Sequence, residues 1–142
     1  MINVATMTRS MILFAALGGL TLLTAAQQPS ALGTTSAGEW ELSGVPGAKG
    51  IVRQCVSDLM TLTQFEHRDH HCTSTVISDH GSSTIVQYSC GAAGFGRTQI
   101  DVLTPRSLRV STQGISDSLP FNYVMQAHRV GDCTKSASSS RR

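Results

Sequence analysis

The chain has 142 residues, which is enough for one domain once an export segment is set aside and too few for two. Its formal net charge of +2 gives no electrostatic basis for binding nucleic acid or an anionic membrane surface. An aromatic content of 5% argues against extended stacking surfaces for bases or sugars.

Residues 1–26 have the organisation of a secretory signal peptide. A single cation precedes an uncharged, apolar stretch from residue 11 to about residue 26, and Thr24 and Ala26 suit the −3 and −1 positions of a cleavage site before Gln27. A membrane-spanning helix needs about 20 apolar residues, so this shorter, glycine-interrupted stretch favours cleavage over an anchor. We therefore expect a periplasmic or extracellular protein that contacts the membrane only through the signal segment before cleavage.

Two polar flanks border the expected domain. Residues 27–37 are rich in Ser, Thr, Gly and Pro, and residues 134–142 form a Ser-rich tail. Such compositions bury too little apolar surface to fold, so both segments are predicted to be disordered. A single globular unit is expected from residue 38 to residue 133.

The first elements of this unit are two strands and a helix. Glu39–Leu42 alternates apolar and acidic residues, which predicts a half-buried strand with Trp40 as a core anchor. Ile51–Val56 is predicted to be the second strand. Apolar residues then recur at helical spacing, which predicts one short helix over about residues 58–65 with Ser57 as its N-cap.

The rest of the chain alternates strand and turn patterns. Gly81 lies at the centre of a predicted hairpin turn, Thr104–Arg106 forms a second tight turn, and Gly91–Gly96 is expected to be a flexible connection. Strands are expected over residues 71–77, 83–90, 97–103, 107–113 and 121–130. The predicted fold is mainly β: a small antiparallel sheet, curled, sandwiched or barrel-like, with one short helix.

Four cysteines follow the export segment: Cys55, Cys72, Cys90 and Cys133. In an oxidising compartment such cysteines form structural crosslinks, and neither C-x-x-C spacing nor a cue for a reactive thiol is present. Two disulfides are therefore expected. Four cysteines permit three connectivities, and the sequence alone does not normally choose between them.

The hairpin register favours one connectivity. Cys72 and Cys90 lie symmetrically about Gly81, so a turn centred there places them opposite each other. The same register aligns Val76 with Val86 and also aligns two isoleucines, Ile77 and Ile85, as cross-strand packing prefers. The favoured pairing is Cys72 with Cys90, which leaves Cys55 to pair with Cys133.

The order of several short motifs resembles a bacterial family. These motifs are Gly38-Glu39-Trp40-Glu41, Cys55-Val56-Ser57, Cys72, Cys90, and Arg129-Val130-Gly131-Asp132-Cys133. They resemble the "domain of unknown function 3617" family, whose members have a signal peptide, an early G-x-W-E, four spaced cysteines and a late G-D-C. Members often carry a Met- and Pro-rich insert after G-x-W-E, and only a short turn stands there in this chain. The resemblance implies an exported bacterial protein and supplies no activity and no catalytic residue.

A histidine cluster is the strongest chemical feature. His67, His70 and His71 lie within five residues, and together with Glu66 or Asp69 they have donors that Zn²⁺ or Cu²⁺ accepts. Their spacing matches no named metal motif. The competing interpretation, which we favour, is a polar surface loop with solvated histidines.

Other chemistry is sparse. No serine lies in a G-x-S-x-G or S-x-x-K motif, so no catalytic residue and no cofactor are predicted. Asp132 is expected to form a structural ion pair with Arg129. Five aromatic residues either fill the core, which is favoured, or line a pocket or face for a small-molecule, lipid or protein ligand: Trp40, Phe65, Phe95, Phe121 and Tyr123.

The sequence therefore predicts a non-enzymatic binding or envelope-associated module whose ligand or partner is unknown. A metal-binding protein that uses the three histidines is the alternative, and a small hydrolase is the third hypothesis.

Overall fold

Residues 28–134, described by a computed structural model, form one seven-stranded antiparallel sheet. The strands in chain order are β1 Gly38–Ser43, β2 Val52–Val56, β3 Thr73–His80, β4 Ser83–Ser89, β5 Gly94–Thr104, β6 Ser107–Ser116 and β7 Leu119–Gly131. Their spatial order is β2-β1-β7-β6-β5-β4-β3, so β3 to β7 form a meander, and β1 pairs with β7. The mainly β prediction is confirmed, in the form of an open sheet.

In this part of the chain, three short 3₁₀ helices accompany the sheet: Ser30–Leu32, Leu59–His67 and Gly91–Ala93. The second is the predicted helix, but it has 3₁₀ geometry, and its backbone leaves helical angles at Gln64. Its N-cap is Asp58 and not Ser57, because the extended Asp58 places its carboxylate 2.9 Å from the Met60 amide. That carboxylate satisfies a backbone donor that the first turn leaves free.

One face of the sheet, the inner face, packs on the first two 3₁₀ helices and holds the core. Trp40 is fully buried there, which confirms it as a core anchor. Alternate residues along each strand point to this face because strand side chains have a period of two. The buried core consists of Leu32, Trp40, Leu42, Val56, Leu59, Leu62, Phe65, Ile100, Leu108, Val110, Met125 and Ala127.

The segment before β1 is ordered, so the prediction of a disordered linker over residues 27–37 is wrong for residues 28–37. Leu32 is fully buried in the core. The Asp79 carboxylate accepts hydrogen bonds from the Ser30 amide at 2.6 Å, the Ser30 hydroxyl at 2.7 Å and the Ala31 amide at 3.0 Å. Leu32 and the hydrogen bonds to Asp79 of β3 together hold the segment against the sheet. The polar composition of the segment does not reveal either contact.

The predicted signal peptide, and the tail from residue 135 onward, lie outside the described residues. Within residues 28–134, no helix has both the length and the apolar character needed to cross a membrane.

Both predicted disulfides are present. Cys55 is bonded to Cys133 across a sequence separation of 78 residues, and Cys72 is bonded to Cys90 across 18 residues. The first ties the edge strand β2 to the chain that follows β7. The expected ion pair is also present, since the Arg129 guanidinium donates to the Asp132 carboxylate.

The β3–β4 hairpin differs from the prediction near its tip. A two-residue turn at Gly81–Ser82 joins the strands, and Ile85 lies opposite Ser78 and not opposite Ile77. The register shifts here because Ile77 is the extra residue of a β-bulge. The predicted alignment of Ile77 with Ile85 is therefore wrong, since apolar alternation does not reveal an inserted residue.

Beyond the bulge the predicted register returns. Val76 lies opposite Val86, as expected. A two-residue turn alone would shift every pair by one position, and the bulged residue cancels that shift. The Cα atoms of Cys72 and Cys90 consequently lie 4.2 Å apart, close enough for the bond.

Candidate functional site

The three histidines of the predicted metal site do not converge. His67 is buried at the end of the second 3₁₀ helix, whereas His70 and His71 are exposed in the loop that follows. The rings of His67 and His70 are neighbours, with centroids 6.1 Å apart, but both nitrogens of His67 are already hydrogen-bonded. Within residues 28–134, no three His, Cys, Asp or Glu side chains are placed to hold a metal ion. The structure therefore does not bring together the three histidines of the alternative metal-site interpretation. The favoured interpretation, a polar loop with solvated histidines, holds for His70 and His71 but not for the buried His67.

His67 instead links the second 3₁₀ helix to the sheet. Its Nδ1 lies 3.2 Å from the Tyr88 hydroxyl, and its Nε2 lies 3.1 Å from the carbonyl oxygen of Ala93. A carbonyl oxygen only accepts, so Nε2 carries the hydrogen and Nδ1 accepts from Tyr88. The partners thereby fix the tautomer, and no ring nitrogen is left to ligate a metal or to serve as a base.

Two glycines make room for these side chains. A Cβ atom on Gly96 would overlap the Tyr88 hydroxyl and lie 2.6 Å from Cζ of that ring. Gly94 has a φ of +128°, and a Cβ atom there would lie 3.0 Å from His67 Nε2. The prediction of a flexible connection over Gly91–Gly96 is therefore wrong, because a 3₁₀ turn and the start of β5 order this segment. Gly94 and Gly96 are needed there because a side chain would collide with His67 or Tyr88.

Two tyrosines of the inner face are held in their protonated form. Burial, reinforced by the negative charge of Glu66, raises the pKa of Tyr88 to about 12. Burial and the same Glu66 carboxylate also raise the pKa of Tyr123. Because Tyr88 donates its single hydrogen to His67, whose other nitrogen bonds the Ala93 carbonyl, neither Tyr88 nor His67 is free to act as an acid or a base.

A serine and a histidine on the opposite, outer face are adjacent but lack an acid. The Ser107 hydroxyl lies 3.1 Å from Nδ1 of His128, and both residues belong to paired positions of β6 and β7. Glu41 lies next to His128 across the β1–β7 pair, but its carboxylate accepts two hydrogen bonds from Arg53, at 2.7 and 3.0 Å. With the carboxylate engaged elsewhere, this arrangement does not support the hydrolase hypothesis.

The outer face of β3 to β7 carries three adjoining grooves. Two of them have volumes of about 460 Å³ each and share Phe95 and Gln87. A third, of about 200 Å³, shares Arg97, Gln113 and Asn122 with one of these. The grooves thus form one continuous site around Phe95.

Phe95 is the residue that sequence reasoning misplaced. It was expected among the core aromatics, yet it is 53% exposed. Gly94 and Gly96 take the inward positions on either side of it, so the period of two points Phe95 outward. The alternation of Phe95, Arg97 and Gln99 with glycine, threonine and isoleucine was the signal that could have located the site.

The charge of this site is that of one cation. Among the side chains that line the three grooves, Arg97 is the one charged group, and none carries a carboxylate. The ion pairs found in the described part of the chain join Arg53 to Glu41 and Arg129 to Asp132, so Arg97 has no carboxylate partner there. The site therefore combines polar amide side chains, one positive charge and an apolar part around Phe95.

No protein-family model, curated protein or solved structure matches this chain.

Proposed function

We propose that the protein is an exported bacterial binding module, without catalytic activity, that takes its ligand on the outer face of the sheet around Phe95. The two grooves of about 460 Å³ that share this ring carry the proposal. Their volume falls in the range of sites for small organic ligands, about 300–1,000 Å³. An exposed phenyl ring among amide side chains also offers both apolar contact and hydrogen bonds.

Several features support export. Disulfides persist mainly in oxidising compartments, and the chain has two of them. The first 26 residues have the pattern of a signal peptide. The resemblance to the "domain of unknown function 3617" family points the same way.

The hydrogen bonds that already engage His67 and Glu41 support a binding role over catalysis. His67 is buried with both nitrogens bound, and the Glu41 carboxylate beside the Ser107–His128 pair is engaged by Arg53. None of these groups lines the grooves around Phe95.

Binding is tested with the full chain expressed in a bacterial host and purified from its exported fraction. The probe is 8-anilinonaphthalene-1-sulfonate, which has an aromatic surface and one negative charge. We expect its binding to shift amide resonances of Phe95 and of strands β4 to β6, and Phe95→Ala to weaken it at least tenfold. Leu103→Ala, which truncates another exposed apolar residue of β5, is the matched control and should bind normally. Equal binding by both variants, or none by the parent protein, contradicts the proposal.

Export is tested separately by the intact mass of the same preparation. A mass that begins at Gln27 and is four hydrogens lighter than the reduced chain supports cleavage and two disulfides. A chain that retains residues 1–26 refutes the export half of the proposal and leaves the binding half standing.

A further inference from the structure

Two cross-strand rows of side chains define the surface around Phe95. In the first row, Phe95 lies opposite Ile115 of β6, which in turn lies opposite Pro120 of β7. Strands stand about 4.8 Å apart, so these three side chains form a continuous apolar strip across neighbouring strands.

The second row is polar and runs beside the first. Arg97 of β5 lies opposite Gln87 of β4 on one side and Gln113 of β6 on the other, and Gln113 lies opposite Asn122 of β7. All four side chains are exposed. Two amides, Gln87 and Gln113, therefore flank one guanidinium, a third amide, Asn122, continues the row, and each amide both donates and accepts hydrogen bonds.

The spacing of the two rows suits a sugar ring. Phe95 and Arg97 are two residues apart on one side of β5, which places them about 7 Å apart along the strand. That distance is comparable to the width of one pyranose with its ring substituent. A ring whose C–H face lies on Phe95 would thus bring its substituent to the guanidinium and its hydroxyls to the amides.

We propose that this surface binds an acidic saccharide, with its carboxylate on Arg97, its hydroxyls on Gln87 and Gln113, and a ring face on Phe95. This inference rests on the proposed function and names its ligand class. The planar guanidinium pairs with a carboxylate through two parallel hydrogen bonds, and no acid among the lining residues competes with the ligand.

The chain's composition sets the size of the site. Phe95 is the one strongly exposed aromatic ring within residues 28–134, so one sugar unit stacks at a time. This agrees with the low aromatic content, which excludes an extended stacking surface. With one ring and one charge, we expect a dissociation constant of about 0.1–1 mM.

The test uses tetragalacturonate as the probe and its fully methyl-esterified form as the control, because the two share rings and hydroxyls and differ in charge. Amide resonances of the exported full chain are followed during titration. We expect tetragalacturonate to shift the amides of Phe95, Arg97 and Gln113, and the ester to bind at least tenfold more weakly. Arg97→Gln should remove this difference, and Phe95→Ala should weaken both ligands.

A second arginine supplies the matched variant. Arg109 is an exposed cation of β6 that does not line the grooves, so Arg109→Gln removes the same charge elsewhere on the sheet. We expect it to leave tetragalacturonate binding within twofold of the parent protein. Equal losses with Arg97→Gln and Arg109→Gln would indicate a general charge effect and overturn the assignment of Arg97.

The outcomes separate this inference from the proposed function. If acid and ester bind equally and Phe95→Ala weakens both, the acidic class is wrong and the binding face remains. If neither saccharide binds but the anilinonaphthalene probe binds in a Phe95-dependent way, the saccharide class is wrong and the binding module remains. If vesicles containing phosphatidylglycerol bind through Arg97 and the saccharide does not, the ligand is a lipid headgroup and the inference is overturned.

Discussion

The hydrogen bond between Tyr88 and His67 gives the sharpest test of how the inner face is built. Tyr88→Phe removes one oxygen and leaves the ring in place. Because the Tyr88 hydroxyl donates to Nδ1 of His67 over 3.2 Å, the change leaves a buried acceptor without a partner. His67 and Tyr88 are each only 1% exposed, so water does not replace the lost donor.

The expected cost follows from that burial. Leaving a buried polar group unsatisfied costs about 1–3 kcal/mol, and we take about 2 kcal/mol for this pair. For a domain of this size, that loss lowers the melting temperature by about 8 °C. Tyr123→Phe is the control. Within residues 28–134 the buried Tyr123 hydroxyl meets no partner at hydrogen-bond geometry, although the Glu66 carboxylate lies near enough to raise its pKa, so its removal should cost less than about 0.5 kcal/mol.

Urea unfolding followed by tryptophan fluorescence measures these changes. Trp40 is the one tryptophan of the chain and lies fully buried in the core, so its emission reports global unfolding. The unfolding midpoint should fall for Tyr88→Phe, and the slope should stay constant because the exposed surface does not change.

A double-mutant cycle decides whether the donor assignment is right. His67→Leu removes both ring nitrogens, which leaves the Tyr88 hydroxyl as an orphan donor. Tyr88→Phe should then cost nothing or stabilise the protein, giving a coupling of at least about 1 kcal/mol. An identical cost for Tyr88→Phe with and without His67 would refute the hydrogen bond and the tautomer derived from it.

Three further outcomes are expected. Replacing Cys55 and Cys133 by alanine opens a loop with a separation of 78 residues and should lower the free energy of unfolding by about 4 kcal/mol. That loss should be roughly 1 kcal/mol larger than the loss from removing the Cys72–Cys90 disulfide, and urea unfolding measures both. Hydrogen bonds from Ser30 and Ala31 lower the pKa of Asp79, so docking of the N-terminal segment is stabilised above about pH 4 and is lost as the pH falls through the lowered pKa. Amide exchange at Ala31 should show that acid dependence, and Asp79→Asn should abolish it. The pKa of Tyr88 is raised to about 12, against about 10 in the unfolded chain. The stability that the protonated Tyr88 contributes is therefore complete below about pH 10 and is lost as the pH rises through about 12. Tyr88→Phe should flatten this alkaline decline, as urea unfolding at several pH values would show.

Most of the fold could be predicted from strand patterns, because the alternation of apolar and polar residues along a strand is a local property of the sequence. Alternation placed all seven strands, and the fully buried Trp40 confirms the first of them. The symmetry of Cys72 and Cys90 about Gly81 gave the right pairing even though the turn and the bulge were not foreseen. The pairing was right because the extra residue of the bulge cancels the one-residue shift that the two-residue turn causes. The symmetry of the cysteines depends on the sum of the two shifts, so it reveals neither the turn type nor the bulge.

Two of the failures have a different cause, namely contacts between residues far apart in sequence. The segment before β1 looked disordered because Leu32 and the distant Asp79 that fix it have no local signature. His67 was expected to be solvated, or as the alternative a metal ligand, because its partners, Tyr88 and the Ala93 carbonyl, lie 21 and 26 residues away. A histidine within a polar run therefore gave no sign that it was buried.

The first residues of β5 join the two faces of the sheet. On the inner side, Gly94 and Gly96 let His67 and Tyr88 close onto the strand backbone, and on the outer side Phe95 stands between them in the proposed site. The network that holds the second 3₁₀ helix therefore also fixes the position of the ring that contacts the ligand. Tyr88→Phe should thus weaken tetragalacturonate binding by about threefold although the Tyr88 hydroxyl bonds His67 on the inner face. If binding is unchanged while stability falls, the two faces are independent, and the strand holds Phe95 through its pairing with β4 and β6 alone.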